Sequence, residues 1–263
     1  MRKILFHFVI AGCLFFVSST VNATTLEIPG TGDGVAVLNA LAAGFKLDSG
    51  STVEIPKSVG SSGGIVLAGS DQAEIARVAR TIKDKEKHFN LTYKPIFKVP
   101  TVFFVSSDVK VPGLTEEQVL AIFSGKITNW NAVGGPDKKI KVFVREEGDS
   151  SFNNLKKTFP GFKDIAFTQK AITARKTYEM VAFVKYEKDA IGFGPLDVAL
   201  ANDLHYVKID GVAPEDTDYK FFGTIGLVYK PQNLSGTAKK FLDYVSSENS
   251  AVEIAKFGGM QIR

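Results

Sequence analysis

Three stretches of the chain set glycines and short polar side chains at the start of a helix-like segment. They are Gly30-Thr31-Gly32-Asp33-Gly34, Gly60-Ser61-Ser62-Gly63-Gly64 and Arg145-Glu146-Glu147-Gly148-Asp149-Ser150-Ser151. The chemistry such places can do is anion capture. The first N–H groups of a helix have no intrahelical partner, and the aligned peptide dipoles favour negative charge there. Serine hydroxyls add donors, glycine lets a ligand approach the backbone, and Arg145, at a strand end, can offer a guanidinium fork to an oxyanion. Each loop taken alone is better explained by capping and turn chemistry. Three of them, one beside an arginine, shift the balance towards a binding site.

Residues 60–64 also fit G-x-S-x-G, which would make Ser62 a nucleophile. That reading needs a loop in mid-sheet, an oxyanion hole from an earlier loop, and an acid and a histidine downstream. Only about one strand can precede residue 60 in a processed chain. The downstream histidines are His88, beside the charged Lys83–Lys87 run, and His205, in a strand-like segment. The context is missing, and no enzymatic activity is expected. Gly30–Gly34 is neither a Walker A loop, lacking Gly-Lys-Ser/Thr, nor a dinucleotide fingerprint, since Val35 takes the third glycine's place. No spacing suits a metal site, and no cofactor is implied.

The elements that must position these loops alternate between helix and strand. Val35, Leu38, Leu41, Ala42 and Phe45 form one helical face. A helix after Gly113-Leu114 is marked by a Thr115/Gln118 capping box, a Val119, Ile122 and Phe123 stripe, and Gly125 as its stop. Strands are expected around 52–55, 100–107, 140–146, 190–195 and 223–230, and helices at 150–159, 235–247 and 250–257, the last opened by Ser250 and Glu253. Residues 71–86 suit a helix or a short strand equally. The alternation argues for an α/β fold with mostly parallel sheets.

Composition bounds the setting. Arg2 and Lys3, an apolar run from Ile4 to Val17, and Val21 and Ala23 before a cleavage point read as a secretory signal peptide in residues 1–23. The run is shorter than the roughly 18 apolar residues that a spanning helix needs. Ile10-Ala11-Gly12-Cys13 resembles a lipoprotein box, but the greasy Leu14-Phe15-Phe16 after it argues against lipid anchoring at Cys13. Cys13 is the single cysteine, so the processed chain must rely on its core and not on disulfides. The full chain has 32 Lys and Arg against 28 Asp and Glu, and removing the signal takes away two of the basic residues. That balance argues against nucleic acid or a membrane surface as partner. No oligomer signal is present, and a monomer is expected.

The long block from Gly113 to Gly148 resembles the second-lobe signature of the phosphate-binding proteins of bacterial phosphate ABC transporters. Ser58–Ile65, Ala190–Leu196 and Val207–Lys230 resemble further blocks of that family in the same order, so the likeness spans nearly all of the processed chain. It implies a two-lobe type II periplasmic-binding fold with a hinge: residues 24–103 and 219–263 in one lobe, 104–218 in the other. The lobes would close over an oxyanion. By the same likeness Ser61 is the anion-contacting serine, Ser62 its neighbour in the turn, and Arg145 the anion-binding arginine. Gly34 falls where a hydroxyl residue is common, leaving the amides of Gly34 and Val35 as donors. Asp149-Ser150-Ser151 replaces Ser-Gly-Thr. Arg80 stands where some members carry an aspartate that accepts the proton of hydrogen phosphate and repels sulfate, so Arg80 should relax that discrimination. Asp149 or Asp33 could restore the acceptor. Two readings of Asp149 stand, acceptor or cap turned away, and two of Arg80, ligand-facing or solvated. The function implied is secreted or periplasmic capture of phosphate or a similar tetrahedral oxyanion, read by an ABC permease in the inner membrane. The alternative is a secreted sensor or interaction protein that keeps the fold.

Overall fold

The computed structural model describes residues 25–262. The expected signal peptide, its cleavage point and Cys13 lie outside the described residues. The first lobe begins with β1 (Leu26–Glu27), α1 (Val35–Ser49), β2 (Val53–Glu54), α2 (Gly60–Gly69) and β3 (Ile75–Val78). A long strand, β4 (Thr92–Val105), then carries the chain into the second lobe. There follow α3 (Glu116–Phe123), β5 (Lys141–Arg145), α4 (Ser150–Thr158), β6 (Ile172–Ala174), α5 (Thr177–Tyr186), β7 (Ala190–Pro195), α6 (Leu196–Ala201) and β8 (His205–Tyr206). The chain returns on β9 (Phe222–Tyr229) and finishes with α7 (Gly236–Tyr244), α8 (Glu248–Ala255) and β10 (Met260–Gln261).

Two large apolar cores hold the lobes, and a smaller cluster of Ile65, Ala68, Ala76, Val78 and Val228 packs α2 against β3 and β9. Leu38, Leu41, Phe45, Phe97, Leu227 and Phe241 are buried together in the first. The second is rich in aromatic rings: Phe103 lies 5.2 Å from Phe159, and Phe143 stacks on Phe183 at 4.9 Å. Such rings contribute beyond the area they bury. Trp130, fully buried, satisfies its indole N–H on the Asp189 carbonyl at 3.1 Å.

The sheet order is β3-β9-β4-β7-β5-β6. The pairings β5–β6 and β5–β7 are parallel, while β3–β9, β4–β9 and β4–β7 are antiparallel. The expectation of mostly parallel sheets is therefore corrected to a mixed sheet. The cause is connectivity: β4 leaves the first lobe and β9 comes back, so the two crossing strands run in opposite directions. β4 pairs with β9 as far as Pro100 and with β7 from Thr101 onward.

Local signals mostly hold. Thr115 and Gln118 form the reciprocal capping box of α3, and Val119, Ile122 and Phe123 are its buried stripe. Residues 71–86 resolve as strand β3 followed by a 3-10 turn over Asp84–Phe89. The start of α8 is corrected: Ser247, not Ser250, is the cap, and its hydroxyl accepts from the Ser250 amide. Ser250 lies inside the helix, fully buried, donating to the Val245 and Ser247 carbonyls.

What positions the site is the register of strand ends. Helix α1 follows β1, α2 follows β2, α4 follows β5 and α5 follows β6, so helix N-termini gather at the carboxyl ends of the strands, where open α/β sheets bind ligands. Arg77 of β3 fastens the first-lobe loops. It is fully buried and donates from Nε to the Thr31 carbonyl (2.7 Å), from Nη2 to the Pro56 carbonyl (2.7 Å), and from Nη1 to the Ile28 carbonyl. Burial pulls its pKa down to about 10. Gly30 lies against Arg77 at φ +144°, and a Cβ there would fall 1.9 Å from the Arg77 carbonyl oxygen, so no other residue fits.

Candidate functional site

Between the lobes lies a cavity of about 340 Å³ whose walls include Thr31, Gly32, Ser61, Arg145, Asp149 and Thr177. The lobes touch across it. Ser61 Oγ, from the first lobe, lies 3.2 Å from Ser150 Oγ of the second, and it also accepts the Ala79 amide at 3.1 Å. Ser151 donates its hydroxyl to Asp33 Oδ2 at 3.1 Å. A Cβ on Gly32 would come within 2.6 Å of Thr177 Oγ1, so the first loop meets α5 with no room for a side chain.

Arg145, at the end of β5, is the buried cation of the site, with 5% of its surface exposed. Its Nη2 pairs with Asp149 Oδ2 at 2.6 Å and its Nη1 donates to Thr177 Oγ1 at 3.2 Å. Its Nε is buried without an acceptor. Asp149 is also the N-cap of α4, accepting the Phe152 amide at 3.0 Å. The two sequence readings of Asp149 are therefore not exclusive, because this carboxylate caps its helix and faces the cavity at once.

Each of the three helix starts singled out in the sequence opens a helix, but they differ in what fills them. At α1 the Ala36 amide donates to Asp197 Oδ2 at 3.1 Å, a carboxylate brought by α6. At α4 the filler is Asp149. Helix α2 has no side-chain cap, and Gly60, Ser61 and Ser62 of its first turn line the cavity. The Gly60 amide is already held by the Gly30 carbonyl at 3.1 Å and by Ser58 Oγ at 3.2 Å, so an anion at this helix start would meet the amides that follow it.

The acid groups respond to this crowding. Asp33 is pushed up to about 7, first by burial and then by the Asp149 carboxylate, with Arg145 and the Ser151 hydroxyl pulling the other way. Asp149 is raised by burial against the opposing pull of Arg145 and of the Phe152, Ser150 and Ser151 amides. Asp197 is pushed up to about 6 by burial, opposed by amides at the start of α1 and by that of Val198.

Among the residues singled out in the sequence, Ser61, Arg80, Arg145, Asp149 and Ser150 line the cavity together. Ser151 sits just behind them, buried on Asp33. Gly34 and Val35 are not in the lining. Gly34 faces the first core, where a Cβ would lie 2.8 Å from Ile225 Cγ1, and Asp197 takes up the start of the following helix. Arg80 is neither freely solvated nor a bare ligand donor. It pairs with Glu86 at 2.7 Å and donates to Ser62 Oγ at 2.9 Å. Lys83, Arg175 and Lys176 add positive charge to the lining, Glu146 and Glu147 negative charge. Thr177, Asp197 and Arg77 escaped sequence reasoning. Thr177 had no nearby motif, Asp197 follows a proline in an apolar segment, and Arg77 sat in the ambiguous stretch. Among the described residues no group of three or more His, Cys, Asp and Glu is placed to hold a metal ion, and no helix is long and apolar enough to cross a membrane.

Comparison with known proteins follows the same line. A family model described as a PBP superfamily domain matches residues 17–249. The phosphate-binding protein PstS of Borreliella burgdorferi is 23% identical over 175 residues, 62% of this chain and 63% of that protein. PstS of Bacillus subtilis is 28% identical over 151 residues, 55% of this chain and 49% of that protein. The match thus spans less than two thirds of either curated relative. A protein of Clostridium perfringens, described as a phosphate ABC transporter substrate-binding protein and solved with bound phosphate, is 29% identical. Its TM-score is 0.79, and the match covers 91% of this chain and all (100%) of that one. An ABC-type phosphate transport receptor from Vibrio cholerae shares the fold at TM-score 0.63 and 22% identity, covering 91% of this chain and 100% of that one.

Proposed function

Since the chain belongs to the PBP superfamily and has the two-lobe α/β fold of type II periplasmic binding proteins, we propose that it captures phosphate or a similar tetrahedral oxyanion between its lobes. The observation that carries this reading is the convergence of donors on one cavity: the buried Arg145, the start of α2, and the Ser61 and Ser150 hydroxyls from opposite lobes. Charge-assisted bonds from a buried guanidinium are the strong ones, and helix starts suit anions without further machinery. Arg145, Ser61 and Ser150 bind; Ser151 and Thr177 orient; Arg77 holds the loops. The residues fit a binding role: Ser62 Oγ accepts from Arg80 at 2.9 Å, and the cavity lining is of glycines, hydroxyls and charged groups.

The lobe limits belong to the same proposal, with residues 24–103 and 219–263 forming one lobe and 104–218 the other. The change of partner along β4 after Pro100 supports crossings close to these limits, but Phe103 and Tyr219 pack in the second core, which moves the outgoing crossing to about Pro100 and the return to about Phe222. Export by the signal in residues 1–23, action in the periplasm or outside the cell, and reading of the closed form by an ABC permease complete the proposal.

A second reading is favoured by one observation. Asp33 and Asp149 already stand beside the single buried arginine of the cavity. A sensor or interaction protein would keep the fold while its seat is filled from within. Calorimetric titration with inorganic phosphate and with sulfate separates the two, on protein unfolded and refolded to strip carried-over ligand. Saturable phosphate binding supports capture. Silence from both anions supports the second reading.

A further inference from the structure

We propose that the Asp149 carboxylate is an internal competitor that occupies the oxyanion seat of the cleft and sets its affinity. The inference rests on the reading of the cleft as an oxyanion site. In a guanidinium, Nε–H and one Nη2–H point along the same edge, the edge that receives two oxygens of an oxyanion side by side. In Arg145 that edge is open at Nε, and its other nitrogen, Nη2, is engaged in an ion pair. Asp149 Oδ2 takes Nη2 at 2.6 Å, while Nε is buried with no acceptor. An orphaned buried donor is unfavourable, and an anion bridging both nitrogens would satisfy it.

The same carboxylate also uses the other anion-attracting feature beside Arg145. Its Oδ1 accepts the Phe152 amide at 3.0 Å, capping α4. Its position therefore combines an arginine fork with a helix start, which is what an incoming oxyanion would seek. A ligand on the Nε–Nη2 edge must displace Asp149 from Nη2 or bind beside it. Binding beside it is opposed by Asp149 and also by Asp33, which Ser151 holds at 3.1 Å. One arginine then faces two carboxylates before any ligand arrives.

A serine at this position would keep the cap without the charge. Thr115, Ser235 and Ser247 already cap three other helices of the chain through their hydroxyls. Asp149→Asn preserves both shape and cap and serves as the second variant. The test titrates inorganic phosphate into native protein, Asp149→Ser and Asp149→Asn at neutral pH, with thermal unfolding to verify the fold of each. Both variants are expected to bind at least about tenfold tighter than native protein, by the release of one charge-assisted partner. Tight binding by the variants with a silent native protein would support the competitor in its strongest form. Native binding that the variants match or fall below would overturn the inference and leave the oxyanion reading intact. Silence from folded protein in all three forms would overturn both.

Discussion

Asp33 is a carboxyl group whose charge is decided by its neighbours. It is buried, it faces Asp149 and Asp197, and it has Arg145 and the Ser151 hydroxyl on its favourable side. Its pKa moves from 3.8 to about 7 on folding. Between those values the folded protein holds a proton that the unfolded chain releases, so stability falls as pH rises through that window and levels off above it. One such group changes stability by at most about 1.4 kcal/mol per pH unit. Asp197 acts in the same direction between 3.8 and about 6. Thermal unfolding of unliganded native protein and Asp33→Asn, from about pH 5 to about pH 8, should show a shallower decline in the variant and a higher melting temperature at the alkaline end. Parallel profiles would mean that Asp33 ionises on folding as freely as in water.

At this scale the sequence was informative about identities and uninformative about partners. Arg145 at a strand end and Ser61 in its glycine turn could be singled out because their types fit one chemistry. That Asp149 both caps a helix and meets Arg145 depends on a side chain folding back four residues along a loop, which no pattern of types specifies. The bond from Ser151 to Asp33 joins residues 118 apart, and that from Ala36 to Asp197 residues 161 apart. Contacts that distant are products of the assembled lobes.

Among the elements, the helices were the most legible because their signals are local. The Thr115/Gln118 pair closes on itself within one turn and marked α3 correctly. Ser250 misled because Ser247, three residues earlier, offers the same cap chemistry and wins it, leaving Ser250 to the interior. Strand direction was not legible: an apolar run such as Val102 to Val105 is buried whichever way its neighbours point. The loops between elements are held by Arg77, whose three carbonyl partners lie at Ile28, Thr31 and Pro56. Truncation of Arg77 would leave these three acceptors without its guanidinium. Arg77→Ala should cost at least about 3 kcal/mol, at ~1 kcal/mol or more for each stranded carbonyl. Urea unfolding would measure it, and a loss under about 1 kcal/mol would mean that the loops hold themselves.

For the whole molecule, function follows from two cores joined by crossing strands with a polar seam between them. The strands β4 and β9 join the lobes through backbone pairing, and the seam joins them through side chains, at Ser61 with Ser150 and at Ser151 with Asp33. Side-chain bonds of this kind can part without unfolding either core, which suits closure over a ligand. That closure would centre on the buried charge of Arg145. The most direct measurement compares the phosphate affinity of Arg145→Ala with that of native protein, each stripped of ligand and shown to be folded. Loss of a charge-assisted pair worth about 1.5–3 kcal/mol predicts binding more than tenfold weaker in the variant. Equal affinity in the two proteins would contradict the account and move the anion to another part of the molecule.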